Sequence, residues 1–488
     1  MAIRPLHSHA LVLAALAIAV GASCVLSAQD KRTLILTPEQ DIQEIVARSP
    51  EGTQFRFEPG VYRQQAIRPR NRQRFVGQDG VILNGAIELT AWTNASGLWK
   101  SEYLPPPLRS DNGECERGRD LCTLREDLFF NGRLYQRVPS RDELGSQKWY
   151  YENGRAYLAD DPTGQSLELG VTPFAFGGDA EDVVLEGLIV EKYASNAQEG
   201  AIRLDDTRGW QILDVAARWN HGGGLSIGPG AYVKGGAFSH NGQIGIVGNG
   251  EGVTIEGVEI SFNNYAGYDA FWEAGGTKFA LTTGLVVRDS CVHSNNGPGL
   301  WSDIDNIDVL YEGNTVFLNA GDGIKHEISY DAIIRNNIAA RNGTGRFDDW
   351  LWGSQILVQN SSNVDVYRNL VEVSGQFGNG IGIIYQDRGE GAYGPRNAAH
   401  NWIHDNMIVH LGDRGQNGVV TDTDDSSFWQ EGANRFDRNT YIVADRGSDY
   451  WTSKDRDEIW DNLNELGFEG RGRLIVEQRA PMQLSCEQ

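Results

Sequence analysis

The feature that most constrains this chain is a recurring pattern, Asn-x-x-x-Gly followed by a large side chain. It runs from Asn220 to Gly224, Asn241 to Gly245, Asn263 to Gly267, Asn295 to Gly299 and Asn319 to Gly323. The residues after the glycines are Leu225, Ile246, Tyr268, Leu300 and Ile324. Successive glycines are 21, 22, 32 and 24 residues apart. Short apolar runs precede the copies: Val253-Thr254-Ile255, Leu285-Val286-Val287, Val309-Leu310-Tyr311 and Ile333-Ile334. The pattern loosens through Val364-Asp365-Val366 and Gly380-Ile381 and ends near Gly418-Val419.

A repeat of this length with two or three short strands marks a parallel β-solenoid. A strand of four or five residues buries no face alone, but stacked coils bury one continuous core. Glycine is expected at the corners, where φ turns positive. Asparagine tolerates such corners and can hydrogen-bond up the stack. Only 15 prolines occur in 488 residues, as interior parallel strands require.

Open solenoid ends need caps. Thr37-Pro38-Glu39-Gln40 reads as a helix start, with Thr37 as N-cap and Gln40 closing a capping box. Ile42, Ile45 and Val46 would cover the first coil. Asp455 to Leu466 reads as a closing helix, with Ile459, Leu463 and Leu466 apolar and Gly467 as its stop. Five segments follow: a signal peptide over 1–28, a cap and first coils over 33–91, an aromatic-rich β insertion over 92–172, stacked coils over 173–428 and a C-terminal cap over 429–488.

Segment 1–28 has Arg4, an apolar run from Ala10 to Val20 and small residues before Ala28, the expected cleavage point. That run is too short to span a bilayer. Export to the periplasm or the medium is therefore expected. In that setting Cys115 and Cys122, close together in a polar loop, are the natural disulfide. Cys291 and Cys486 read as free thiols. The net charge of −23 comes with no basic tract, which excludes a nucleic-acid partner. The sequence leaves the oligomeric state open.

Alternation along the strands assigns faces. In Gly299-Leu300-Trp301-Ser302-Asp303, Leu300 points in while Trp301 and Asp303 point out. In Gly323-Ile324-Lys325-His326-Glu327, Ile324 and His326 point in while Lys325 and Glu327 point out. The same repeat position places Asp303 and Glu327 one above the other on neighbouring strands, about 4.8 Å apart. Retaining glycosidases use carboxyl pairs about 5–5.5 Å apart. The preceding Gly267-Tyr268-Asp269-Ala270-Phe271 adds Asp269 and Phe271 to the same columns. Trp272, Trp350 and Trp352, in insertions, would wall the patch. A like-charge pair of this kind raises one pKa, so that one group carries a proton at neutral pH.

The repeat resembles the coils of the pectate-lyase-like superfamily over about 180–425, which implies an all-β, right-handed parallel β-helix. The stretch Gly299 to Asp303, with Asn314, Asn319, Gly323-Ile324, Glu327 and Ile334 to Ile338, is similar to the catalytic region of β-helix β-xylosidases, glycoside hydrolase family 120. That resemblance implies Asp303 as nucleophile and Glu327 as acid/base. It also implies an inserted β-domain. The chain differs in Ile304, where an aromatic is usual, and in Ile328-Ser329-Tyr330, where the family has His-Gly-Pro.

Three functions follow as expectations. The first is a retaining glycosidase acting on an oligo- or polysaccharide without a cofactor. The second is a polyuronate lyase or C5-epimerase, with Lys325 as base and calcium on Asp269, Asp303 and Glu327. The third is a carbohydrate-binding protein that uses Trp301 as its platform. The cluster Asp422-Thr423-Asp424-Asp425 is a second place where calcium could bind.

Overall fold

The structure, a computed structural model, describes residues 33–486 apart from 206, 346–349, 424–433 and 454–455. The signal segment, Asp424, Asp425 and Asp455 therefore lie outside the described residues. Three long sheets of 13, 13 and 11 strands run side by side among the described residues, and almost every neighbouring pair is parallel. Between Val184 and Ser453 each coil gives one strand to each sheet. One coil contributes Val286–Arg288, Cys291–His293 and Leu300–Asp303. The next contributes Val309–Glu312, Thr315–Phe317 and Ile324–Glu327. Their inward residues, Val287, Val292 and Leu300, then Tyr311, Val316 and Ile324, are all fully buried. Together the coils form one continuous apolar column from Leu36 to Phe468.

The repeat asparagines form a buried ladder. Asn220 donates from Nδ2 to Asn241 Oδ1 at 3.0 Å, and the chain passes through Asn263, Asn295 and Asn319 to Asn342 at 2.8–3.0 Å per step. Each Nδ2 also donates to a strand carbonyl, as Asn295 does to Ile260. A second ladder runs through Asn314, Asn337, Asn369, Asn406 and Asn439.

The ladder explains the repeat glycines, and not as corners. A Cβ on Gly299 would stand 2.7 Å from Gly323 O and 2.8 Å from Asn319 Nδ2, and one on Gly323 would stand 2.5 Å from Asn342 Nδ2. Glycine is needed because the next coil's amide passes where a side chain would begin. The corner residues with positive φ precede the asparagines and are not glycines: Trp219, His240, Phe262, Ser294, Leu318 and Arg341.

Gly267 does not belong to this series. The glycine under the ladder in its coil is Gly276, whose Cβ would meet Gly299 O at 2.4 Å and Asn295 Nδ2 at 3.1 Å. The step from asparagine to structural glycine is therefore nine residues longer in this coil, and the extra residues loop out. Asp269 and Phe271, expected in the Trp301 and Asp303 columns, sit on that loop instead.

The caps also differ from expectation. The first helix is Ile42–Arg48, with Asp41 as N-cap accepting from Glu44 N–H at 2.9 Å. Thr37 forms a turn closed by Gln40, whose side chain accepts from Thr37 N–H. Ile42 and Val46 cover the first coil. At the far end, among the described residues, only Trp460–Leu463 is helical. Coils run on beyond 428, with Thr440–Val443 and Arg473–Val476 still in parallel register.

Residues 86–170 form an eight-stranded, mostly antiparallel sheet around Leu128, Trp149, Leu158 and Leu169. A loop from this unit carries the Cys115–Cys122 disulfide. His221 on the coils pins it, with Nε2 against Cys122 O at 2.8 Å and Nδ1 against Asp127 at 2.9 Å. Cys291 and Cys486 are also bridged, contrary to the free-thiol reading. The C-terminal tail returns across 195 residues of chain to reach the strand Cys291–His293, a contact that sequence spacing cannot reveal. No helix of the described residues is long and apolar enough to cross a membrane.

Candidate active site

The strands Leu300–Asp303 and Ile324–Glu327 pair in parallel, with Trp301 opposite Lys325 and Asp303 opposite Glu327. All four side chains leave the coil outward, yet each is at least 94% buried. His326 points into the coil, with Nδ1 on Ser302 Oγ at 2.7 Å, and burial lowers its pKa to about 4. The outward side chains are covered by two segments from outside the repeat.

The first is the looped-out stretch 267–275. Asp269 caps a short helical turn, Ala270–Glu273, by accepting from Phe271 N–H at 2.8 Å. The disulfide loop braces it: Asp269 N–H donates to Glu114 O at 2.9 Å, and Glu116 N–H donates to Gly267 O at 3.0 Å. Trp272 packs beside Cys115, Cys122 and Tyr268. Phe271 is 59% exposed and meets the Trp352 ring edge-on at 6.3 Å. Trp350 and Trp352 flank Leu351 against Leu357 and Ile384. Phe271, Trp352, Lys325 and Asp322 line a small cavity. Asp322 is pushed up to about 6 by burial, against the pull of Lys325 and the Ser354 N–H.

The second covering segment is a hairpin, Glu390–Gly391 with Gly394–Pro395. Arg396 clamps it to both oxygens of Asp305, at 3.2 and 2.9 Å, and Tyr330 Oη donates to Gly394 O at 2.6 Å. Gly391 passes so close that a Cβ there would lie 2.1 Å from Asp305 Oδ1. The segment carries Arg388, 38% exposed at its side chain, to 3.4 Å from Glu327 Oε1.

With Gly276 as the aligned residue, Phe279 pairs with Ser302, so Lys278 shares the Trp301 column. Lys278 and Lys325 then bracket the Trp301 ring, with Nζ 4.3 and 4.5 Å from its centroid. Trp301 is therefore a buried support, 1% exposed, and its faces are not open as a sugar platform. Its Nε1–H donates to Glu327 Oε2 at 3.1 Å, and Lys325 Nζ lies 2.7 Å from the same oxygen. Lys278 Nζ lies 2.9 Å from Asp303 Oδ2, while Asp303 Oδ1 is buried with no hydrogen-bond partner among the described residues. On the following coil Gln359 is opposite Glu327, and its buried Oε1 also lacks a partner.

Burial and the Glu327 charge raise the pKa of Asp303. Burial would raise Glu327 as well, but Lys325 and Arg388 hold it below the usual carboxylate range. Burial pulls Lys325 down, yet the surrounding carboxylates outweigh it, so its pKa is raised and it stays an ammonium. Lys278, Glu273, Arg388 and Gln359 were not singled out from the sequence. Lys278 was within reach had the third repeat been aligned on Gly276. Arg388, 61 residues from Glu327, carries no local signal.

A family model for the right handed beta helix region matches residues 200–371. The structure of XylC in its complex with xylose aligns over 89% of this chain and 83% of that one, with a TM-score of 0.67 and 14% identity. The fold is a right-handed parallel β-helix. The A-module of the Azotobacter vinelandii mannuronan C-5 epimerase AlgE6 also aligns, over 90% of this β-helix and 94% of its own chain, at a TM-score of 0.45 and 12% identity. No curated protein matches the sequence.

Proposed function

We propose that this β-helix is an exported glycoside hydrolase that works with retention of anomeric configuration through Asp303 and Glu327. The observation that carries the reading is their direct pairing on adjacent parallel strands, at the strand spacing a double-displacement pair requires. The unpartnered Oδ1 of Asp303 and Oε1 of Gln359 on either side of Glu327 favour a polar ligand there, because buried acceptors without partners are costly. The likeness to XylC with xylose supports a sugar as that ligand. The two disulfides fit an oxidising compartment.

In this reading Glu327 passes its proton to the glycosidic oxygen as Asp303 Oδ1 bonds to the anomeric carbon and the carbon–oxygen bond breaks. Water then gives a proton back to Glu327 and its oxygen to the anomeric carbon, releasing Asp303. The resting charges lean the other way, with Glu327 ionised by its two cations. Arg388 is the exposed one of these. A sugar that parts Arg388 from Glu327 raises the Glu327 pKa as it binds, which turns it into the acid. Both groups come from the chain, so the reaction needs no cofactor.

A lyase or epimerase finds less support. Lys325 is paired with Glu327 and its pKa is raised by the surrounding carboxylates, which disfavours it as a base. Asp269 lies on the looped-out turn, outside the Asp303 and Glu327 strands, with its carboxylate engaged by the Phe271 N–H, which disfavours a calcium site shared with them. The strong net negative charge also favours neutral sugars over polyuronates.

The test is a panel of aryl glycosides and polysaccharides, read for reducing ends and for ultraviolet absorbance of unsaturated products. Hydrolysis without unsaturation is expected. It should fall by roughly a thousandfold or more in Asp303→Ala and Glu327→Ala. Unsaturated products, or full activity in either variant, would contradict the reading.

A further inference from the structure

Asp303 is held from one side by a single cation. Lys278 rises from the preceding coil, is buried, and places Nζ 2.9 Å from Asp303 Oδ2. Its other contacts are the Trp272 carbonyl at 2.9 Å and Glu273 Oε2 at 3.7 Å. Both belong to the turn braced by the Cys115–Cys122 loop. Glu273 is itself tied to Gln198. An ammonium has three donors; Asp303 Oδ2 and the Trp272 carbonyl lie within hydrogen-bond distance, and the Glu273 carboxylate adds an ion pair just beyond it. Lys278 is thus fixed in direction.

We propose that Lys278 is the positioning residue of the nucleophile: it takes Oδ2 of Asp303 and leaves Oδ1 as the oxygen that attacks. The inference rests on the hydrolase reading above and adds the group that sets which carboxylate oxygen reacts. The turn 270–273, through Glu273 and the Trp272 carbonyl, sets where Lys278 stands. The disulfide loop of the β insertion is in this way mechanically linked to the reacting atom.

The charged groups around Asp303 come from four segments. Lys278 lies on the preceding coil, Glu273 on the turn, Lys325, Glu327 and Asp322 on the following coil, and Arg388 on the hairpin segment. Removing Lys278 takes away the cation that touches Asp303 directly, so the carboxyl ionises at higher pH. Loss of activity on the acid side, where the nucleophile becomes protonated, then begins at higher pH.

The experiment measures kcat/KM against pH for the wild type, Lys278→Met and Lys278→Arg on an aryl glycoside with a good leaving group. Lys278→Met is expected to lose roughly 100-fold in kcat/KM, with its acid limb moved up by about one pH unit or more. Lys278→Arg keeps the charge but not its position. It should retain the wild-type acid limb with a loss of roughly tenfold, and this variant decides the matter if the methionine variant does not fold. The proposal is overturned if Lys278→Met stays within about threefold of wild type or loses activity with an unmoved acid limb. An arginine variant of wild-type efficiency also overturns it. If the wild type hydrolyses no glycoside in the panel, the hydrolase reading fails first; an active wild type with an indifferent Lys278 defeats this inference alone.

Discussion

Asp303 and Glu327 stand opposite each other on adjacent parallel strands, 24 residues apart in sequence and one rung apart in the stack. Parallel register makes this spacing rigid, because each strand is hydrogen-bonded to the next along its length. The two carboxylates share one sheet face but not one environment. Lys278 serves Asp303, while Lys325, Trp301 and Arg388 serve Glu327. Two equivalent positions in a repeat thus become chemically distinct through their neighbours.

Arg388 gives the first prediction. Burial favours a neutral Glu327, while Lys325 and then Arg388 favour the carboxylate. Arg388→Gln removes one of those cations, so the folded pKa of Glu327 rises. If Glu327 is the acid, activity on the alkaline side persists to higher pH. The basic limb of kcat/KM should therefore move up, and a pH–rate profile of the variant checks it. An unmoved basic limb would show that Arg388 does not govern the acid.

The ladder glycines give the second. Gly299→Ala places a methyl 2.7 Å from Gly323 O and 2.8 Å from Asn319 Nδ2. The Gly323 carbonyl and the buried side chains of Asn319 and Val316 leave it little room to relax. A loss of about 1–3 kcal/mol in denaturant unfolding is expected. Gly470→Ala, where a Cβ meets nothing within 4 Å, should change stability by no more than about 0.5 kcal/mol.

Glu469 gives the third. It ends the second asparagine ladder, accepting from Asn439 Nδ2 at 2.7 Å and from Tyr441 Oη at 2.9 Å. Burial raises its pKa to about 7, partly offset by those donors. The folded form thus binds a proton that the unfolded chain releases near pH 4.5. Stability contributed by this group is present below that value and is lost as pH rises through about 7. The full span is on the order of 3 kcal/mol. Glu469→Gln should match wild type near pH 4 and unfold at higher denaturant at pH 8. Equal midpoints at pH 8 would contradict it.

The coil architecture was legible because it is written in short-range periodicity. Each Asn-to-Gly step and each alternating run reports a local requirement of the stack. The facing of Asp303, Glu327, Trp301 and Lys325 followed from that periodicity alone. What failed was the third repeat, where nine inserted residues moved the structural glycine from 267 to 276 and left an Asn-x-x-x-Gly match by coincidence. Asp269 and Phe271 were misplaced, and Lys278 was overlooked, for that one reason. Trp301 was expected to be open because a repeat shows which way a side chain points. It does not show what later folds over it. The hairpin with Arg388, and the tail that brings Cys486 to Cys291, arrive from far along the chain, and no local spacing encodes them.

The central claim is that Asp303 attacks a sugar carbon and is held covalently for a moment. It is tested most directly by trapping that intermediate. The wild-type protein is incubated with activated 2-deoxy-2-fluoro glycosides of the sugars it hydrolyses, and the intact mass and labelled peptide are measured. The account predicts one glycosyl unit per chain, on Asp303, with activity lost in step. A label on Glu327 or elsewhere, or continued unlabelled turnover with inversion at the anomeric carbon, would contradict it.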